Sequence, residues 1–113
     1  MRGEYQKVYD LLQKAIAPHG FVANSHDEFY ASFTKPDGWT IAIEGDRVAY
    51  PGFNLLLIKE SSESPKSIYS VEELMLHDFA ARLPNEKRSP SLANRIEFLS
   101  QYLPEIMSSL SVV

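Results

Sequence analysis

The stretch DEFYASFTKPDGWTIAIEGDRVAYPGFNLLLIKE, Asp27 to Glu60, decides the fold class. Phe29, Ala31 and Phe33 alternate with Tyr30, Ser32 and Thr34, and Trp39, Ile41 and Ile43 alternate with Thr40, Ala42 and Glu44. A period of two sends successive side chains to opposite faces, so each run reads as a strand with one buried face. Between them, Pro36 presets φ and Gly38 admits a left-handed backbone, so Pro36-Asp37-Gly38 joins the runs as an antiparallel hairpin. Gly45-Asp46 is expected to make the next reversal, with Arg47 to Tyr50 as a short third strand. Pro51-Gly52 then forms a turn or an edge bulge. Phe53 to Ile58 departs from alternation, because Leu55, Leu56, Leu57 and Ile58 are apolar toward both faces. Such a strand is either central and covered on both sides, or has a second face that is sticky.

Outward from this meander the period changes. Tyr5, Val8, Tyr9, Leu12 and Ile16 recur at steps of three and four, which predicts an amphipathic helix over residues 4–17 ended by Pro18 and Gly20. Phe21 and Val22 are expected to return to the core, and Asn24 to Asp27 to form a loop leading into the first strand. Residues 61–67 (SSESPKS) read as a polar loop. Ser70-Val71-Glu72-Glu73 fits a capping box, followed by a helix burying Val71, Leu74, Met75, Phe79 and Leu83 and stopped by Pro84. Ser89-Pro90 reads as the start of a last helix, with Leu92, Ile96, Leu99, Leu103, Ile106 and Leu110 as its stripe. Pro104 lies inside that run and is expected to kink or break it near Leu103. The fold class is therefore α+β over residues 1–113 as one domain: an N-terminal helix, an antiparallel meander of three to four strands, and two C-terminal helices packed on the sheet.

Composition narrows the function classes. With 44% hydrophobic residues the chain can build a core, and its net charge of −4 argues against general affinity for nucleic acid or anionic lipid. Residues 19–60 hold six acidic against three basic side chains, so most of the acidity belongs to the β-rich part. There is no Cys, which removes disulfides, thiolate metal sites and cysteine nucleophiles together. The charged N-terminus lacks the apolar core of a signal peptide, and no run approaches the length of a membrane span, so the expected location is cytoplasmic.

Chemistry-bearing patterns are sparse. His19 sits where an imidazolium favours a helix C-terminus, and His77 lies four residues after Glu73 on a polar arc. Neither has the ligand spacing of a metal site. His26-Asp27-Glu28 is the one cluster that suits acid–base work, since His26 and Glu28 share a face if the segment is extended. A small hydrolase centred on His26 and Glu28 is the enzymatic alternative. No glycine-rich phosphate loop and no GxSxG is present, so no catalytic residue, metal or cofactor is expected.

The binding alternative rests on polar turns held by firm strands. Asp37, Glu44, Asp46, Arg47 and Tyr50 are the candidate partner-binding residues, four of them charged and one a rigid amphipathic anchor. The whole-chain plan of an N-terminal helix, this meander and two closing helices resembles small bacterial immunity proteins of toxin–immunity systems. The resemblance implies a non-enzymatic protein that neutralises a cognate toxin domain by covering its basic active site or substrate groove. Acidic secretion chaperones are similar too, and would hold a client segment against Leu56 and Ile58. Homodimerisation through a sheet edge or the C-terminal stripe is the other association the sequence allows.

Overall fold

A computed structural model describes residues 4–46, 52–60, 65–89 and 91–111. It is α+β, with helices on one side of a five-stranded antiparallel meander: α1 (Glu4–Ile16), β1 (Val22–His26), β2 (Tyr30–Thr34), β3 (Trp39–Asp46), β4 (Gly52–Lys59), β5 (Ser67–Ser70), α2 (Val71–Glu73) and α3 (Leu92–Ser111). The strand order β1-β2-β3-β4-β5 follows the chain. Two strands exceed expectation. β1 (VANSH) is exposed throughout, and β5 (SIYS) holds no buried residue, so neither has the one-sided burial that writes an apolar alternation into sequence.

The helices and the inward sheet face share one core. Leu12 and Ile16 of α1, Leu99, Leu103 and Ile106 of α3, and Phe33, Ile41, Ile43 and Leu57 of the sheet are all completely buried. Trp39 joins them at 3% exposure, its ring capped by the Lys59 ammonium 4.6 Å from the centroid. Phe21 is buried as expected, but Val22 is 63% exposed, because it opposes Thr34 on the other face.

Turn chemistry accounts for the β2–β3 hairpin. Gly38 has φ +95° and donates its N–H to the Lys35 carbonyl, while the Lys35 N–H bonds Trp39 across the turn. Gly45 behaves differently. It is paired inside β3 opposite Phe53, and β3 runs through Asp46 opposite Gly52, so no reversal occurs at Gly45-Asp46. A Cβ at Gly45 would lie 2.6 to 2.9 Å from the Tyr5 ring, which packs edge-on against Phe29 and Phe53. The glycine marks a close approach of backbone and ring. The expected strand Arg47 to Tyr50, with Pro51, lies outside the described residues, as do 61–64 of the polar loop and Pro90.

The C-terminal third keeps its stripe but not its regularity. Ser70 Oγ accepts from Glu73 N–H as the cap of α2. The chain then widens into a π turn over Leu74–Asp78, where Phe79 N–H bonds the Leu74 carbonyl at 3.0 Å. Leu83 is extended because Pro84 follows it. The cap of α3 is Ser91, whose Oγ accepts from Asn94 N–H at 3.2 Å, rather than Ser89. Pro104 does not break α3. A proline at 104 leaves the carbonyl four residues earlier, that of Ser100, without its helical donor. His19 Nε2–H donates to that Ser100 carbonyl at 2.9 Å. The imidazole beyond α1 thus satisfies the acceptor that Pro104 orphans, and joins the two helices.

Candidate functional site

Register places every side chain of the second sheet face. One row runs Val22–Thr34–Thr40–Ile58–Ile68 across all five strands, and the next runs Ser25–Ser32–Ala42–Leu56–Ser70. A third begins Tyr30–Glu44–Asn54. Among the described residues no helix covers this face, and its apolar members stand outside the core cluster. Five strands at about 4.8 Å spacing make it about 19 Å wide. Ile58 is buried and Leu56 half-buried within it, while Val22 and Ile68 at its two margins are 63% and 58% exposed. Among the described residues the double-sided apolar pattern of β4 thus meets no helix on its second face, whose centre at Ser32, Ala42 and Ile58 is buried while its margins are exposed.

The two edges of this face are finished differently. In β1 the register slips between Ala23 and Ser25, leaving Asn24 as an extra residue. Asn24 Nδ2 donates to Ser32 Oγ at 3.4 Å, and Ser25 Oγ lies 3.0 Å from the same hydroxyl, which satisfies Ser32 at 3% exposure. A bulge of this kind turns an edge away from further pairing. β5 keeps unbroken register with β4 from Leu56↔Ser70 to Lys59↔Ser67.

The charged candidates separate into two groups. Asp37 occupies the β2–β3 turn, where Lys35 Nζ reaches its carboxylate at 3.2 Å and Lys59 Nζ donates to its carbonyl. Glu44 and Asp46 lie at the opposite end of β3, roughly 20 Å or more away along an eight-residue strand. Asp37 thus does not share an edge with Glu44 and Asp46, and is a turn residue with its own cations. Arg47 and Tyr50 lie outside the described residues. Glu44 instead gains different company. Gly45 N–H bonds the Phe29 carbonyl at 2.6 Å, which ties the β1–β2 turn to the Glu44 end of β3. Asp27 Oδ1 accepts from Phe29 N–H, closing that turn. Acids therefore stand in both segments at that end of the sheet, Glu44 on the open face and Asp27 and Glu28 exposed in the turn, and the signal for it was the pairing of strands that carry acids at their ends.

His26 faces inward, opposite Ala31, with its ring 5.7 Å from that of Tyr9. It is exposed, as is Glu28 in the turn, and the concavities between the helices and beside β5 do not include either residue. Among the described residues no group of three or more His, Asp or Glu is placed to hold a metal ion, and no helix is long and apolar enough to cross a membrane.

Two further features escaped the sequence reading. Arg95 of α3 is 8% exposed; its Nη1 donates to the Phe53 carbonyl at 3.2 Å, while among the described residues Nε has no partner. Burial lowers its pKa, an effect opposed by the nearby Glu72 carboxylate. The other is the open concavity of about 270 Å³ between β5 and the π turn, bordered by Glu73 and Asp78.

Comparison with protein families, with curated proteins and with solved structures finds no match for this chain.

Proposed function

We propose that this chain is a non-enzymatic binding protein of the immunity type, which neutralises a toxin domain by seating the open sheet face over a basic active site or substrate groove. The observation that carries the reading is the juxtaposition on that face: an apolar row from Ile58 to the exposed Ile68, with Glu44 toward one end, where the turn carrying Asp27 and Glu28 is bonded to β3. Carboxylates at an interface rim steer a cationic partner and set the on-rate, while apolar side chains inside the rim supply buried area. The partner is therefore a protein domain whose functional groove is positively charged.

The test is capture of a toxin domain encoded beside this chain, followed by Glu44→Lys with Asp46→Lys. Affinity is expected to fall about tenfold or more, chiefly through slower association, and to weaken with added salt. Unchanged affinity and a flat salt response would refute the proposed surface. A second reading, a chaperone holding a client segment on Leu56 and Ile58, draws on the exposure of Val22 and Ile68 at the margins of the same face. It predicts binding of unfolded but not folded partner.

A further inference from the structure

One edge of the sheet is guarded and the other is not. β1 is bulged and polar, whereas β5 is in regular register, has Pro65 and Lys66 before its first residue but neither within it, and sets Ile68 on the open face at 58% exposure. Among the described residues no strand pairs with the outer side of β5. Such an edge presents alternate N–H and C=O groups as a template for another strand. Its two sides differ in chemistry. Toward the open face lies Ile68, continuous with Ile58; toward the helices lies the concavity bordered by Leu74, Glu73, His77 and Asp78. Both carboxylates are on exposed residues, and among the described residues neither takes part in an ion pair.

We infer that β5 accepts an added strand from a protein partner, an extended segment in which apolar side chains alternate with Lys or Arg. Main chain pairs with main chain along Ser67–Ser70. Side chains of one parity rest against Ile68, and those of the other reach Glu73 and Asp78, because an extended segment sends successive residues to opposite faces. A second copy of this chain fits less well. Pairing β5 with itself would bring two sets of Glu73 and Asp78 around one axis, in a protein already carrying −4. The inference rests on the proposed binding function and specifies how a basic partner makes part of its contact.

The experiment uses the full chain and a short peptide of alternating Val and Lys. Amide shifts are expected to concentrate at Ser67–Ser70 and at Glu73 to Asp78, with slowed hydrogen exchange along β5. A Val–Glu peptide, and a Val–Lys peptide N-methylated at alternate residues, are each expected to bind at least about tenfold more weakly, the first by charge and the second by loss of pairing. Equal affinity of the N-methylated peptide would overturn the proposal, as would shifts confined to the Glu44 end. A dimer in sedimentation that Ile68→Lys converts to monomer would also overturn it by making a second copy the occupant. Toxin capture lost on reversing Glu44 and Asp46 but unaffected by reversing Glu73 and Asp78 removes the edge contact and leaves the function. Peptide docking on β5 with no toxin capture does the opposite.

Discussion

If His19 serves the carbonyl that Pro104 orphans, the two residues must be energetically coupled although 85 positions separate them. The perturbation is His19→Ala alone and in a Pro104→Ala background. With Pro104 in place, the Ser100 carbonyl lacks its usual helical donor and accepts from His19, and a hydrogen bond of this kind contributes about 0.5–1.5 kcal/mol net. In the Pro104→Ala background a backbone N–H returns to Ser100 and His19 becomes redundant. His19→Ala should then cost only a few tenths of a kcal/mol, a coupling of about 1 kcal/mol. Pro104 is exposed, so its replacement opens no cavity. Urea titration of the four proteins gives the cycle, and thermal unfolding should show His19→Ala lowering Tm by about 2–6 °C in the Pro104 background. His19→Gln, which keeps a donor, should restore part of the loss. Equal cost of His19→Ala in both backgrounds would refute the reasoning.

Two further outcomes follow from packing. Gly45→Ala drives a methyl into the buried Tyr5 ring and should destabilise by about 1–3 kcal/mol in denaturant titration, a loss that Tyr5→Leu reduces. Arg95→Met should leave stability within about 1 kcal/mol of the parent or raise it, because a desolvated cation with one unbonded N–H gives way to an apolar stem. A base whose folded pKa is lowered penalises the fold while protonated, and that penalty fades only as pH rises through the lowered pKa on the alkaline side. The Arg95→Met difference should therefore be flat from mildly acidic to neutral pH; a loss of about 3 kcal/mol would instead make Arg95 an essential strut.

The legible parts of the sequence are those where burial is one-sided. The stripes of α1 and α3 announced themselves because each has a single wet face, and the alternation around Trp39 because Trp39, Ile41 and Ile43 all turn into the core while Thr40 and Glu44 do not. β1 and β5 did not, since an exposed polar strand is defined by its neighbour's hydrogen bonds and not by its own side chains. Gly45 misled for a related reason: a glycine needed for a nearby ring looks the same in sequence as a glycine needed for a turn. Pro104 misled because the donor that rescues α3 comes from the far end of the chain. Of the candidate site, Glu44 and Asp46 were identifiable as strand-end acids. The separation of Asp37 from them depends on strand length, and the arrival of Asp27 and Glu28 depends on pairing.

The meander has a kinetic corollary. Every strand pairs with the one before it in the chain, so each step of sheet assembly closes only a short loop, at small entropic cost. The long closure is that of α1 on α3, where His19 meets Ser100. Mutations along β2 to β4 should thus slow refolding, whereas loosening the helix pair should chiefly speed the return to the denatured ensemble.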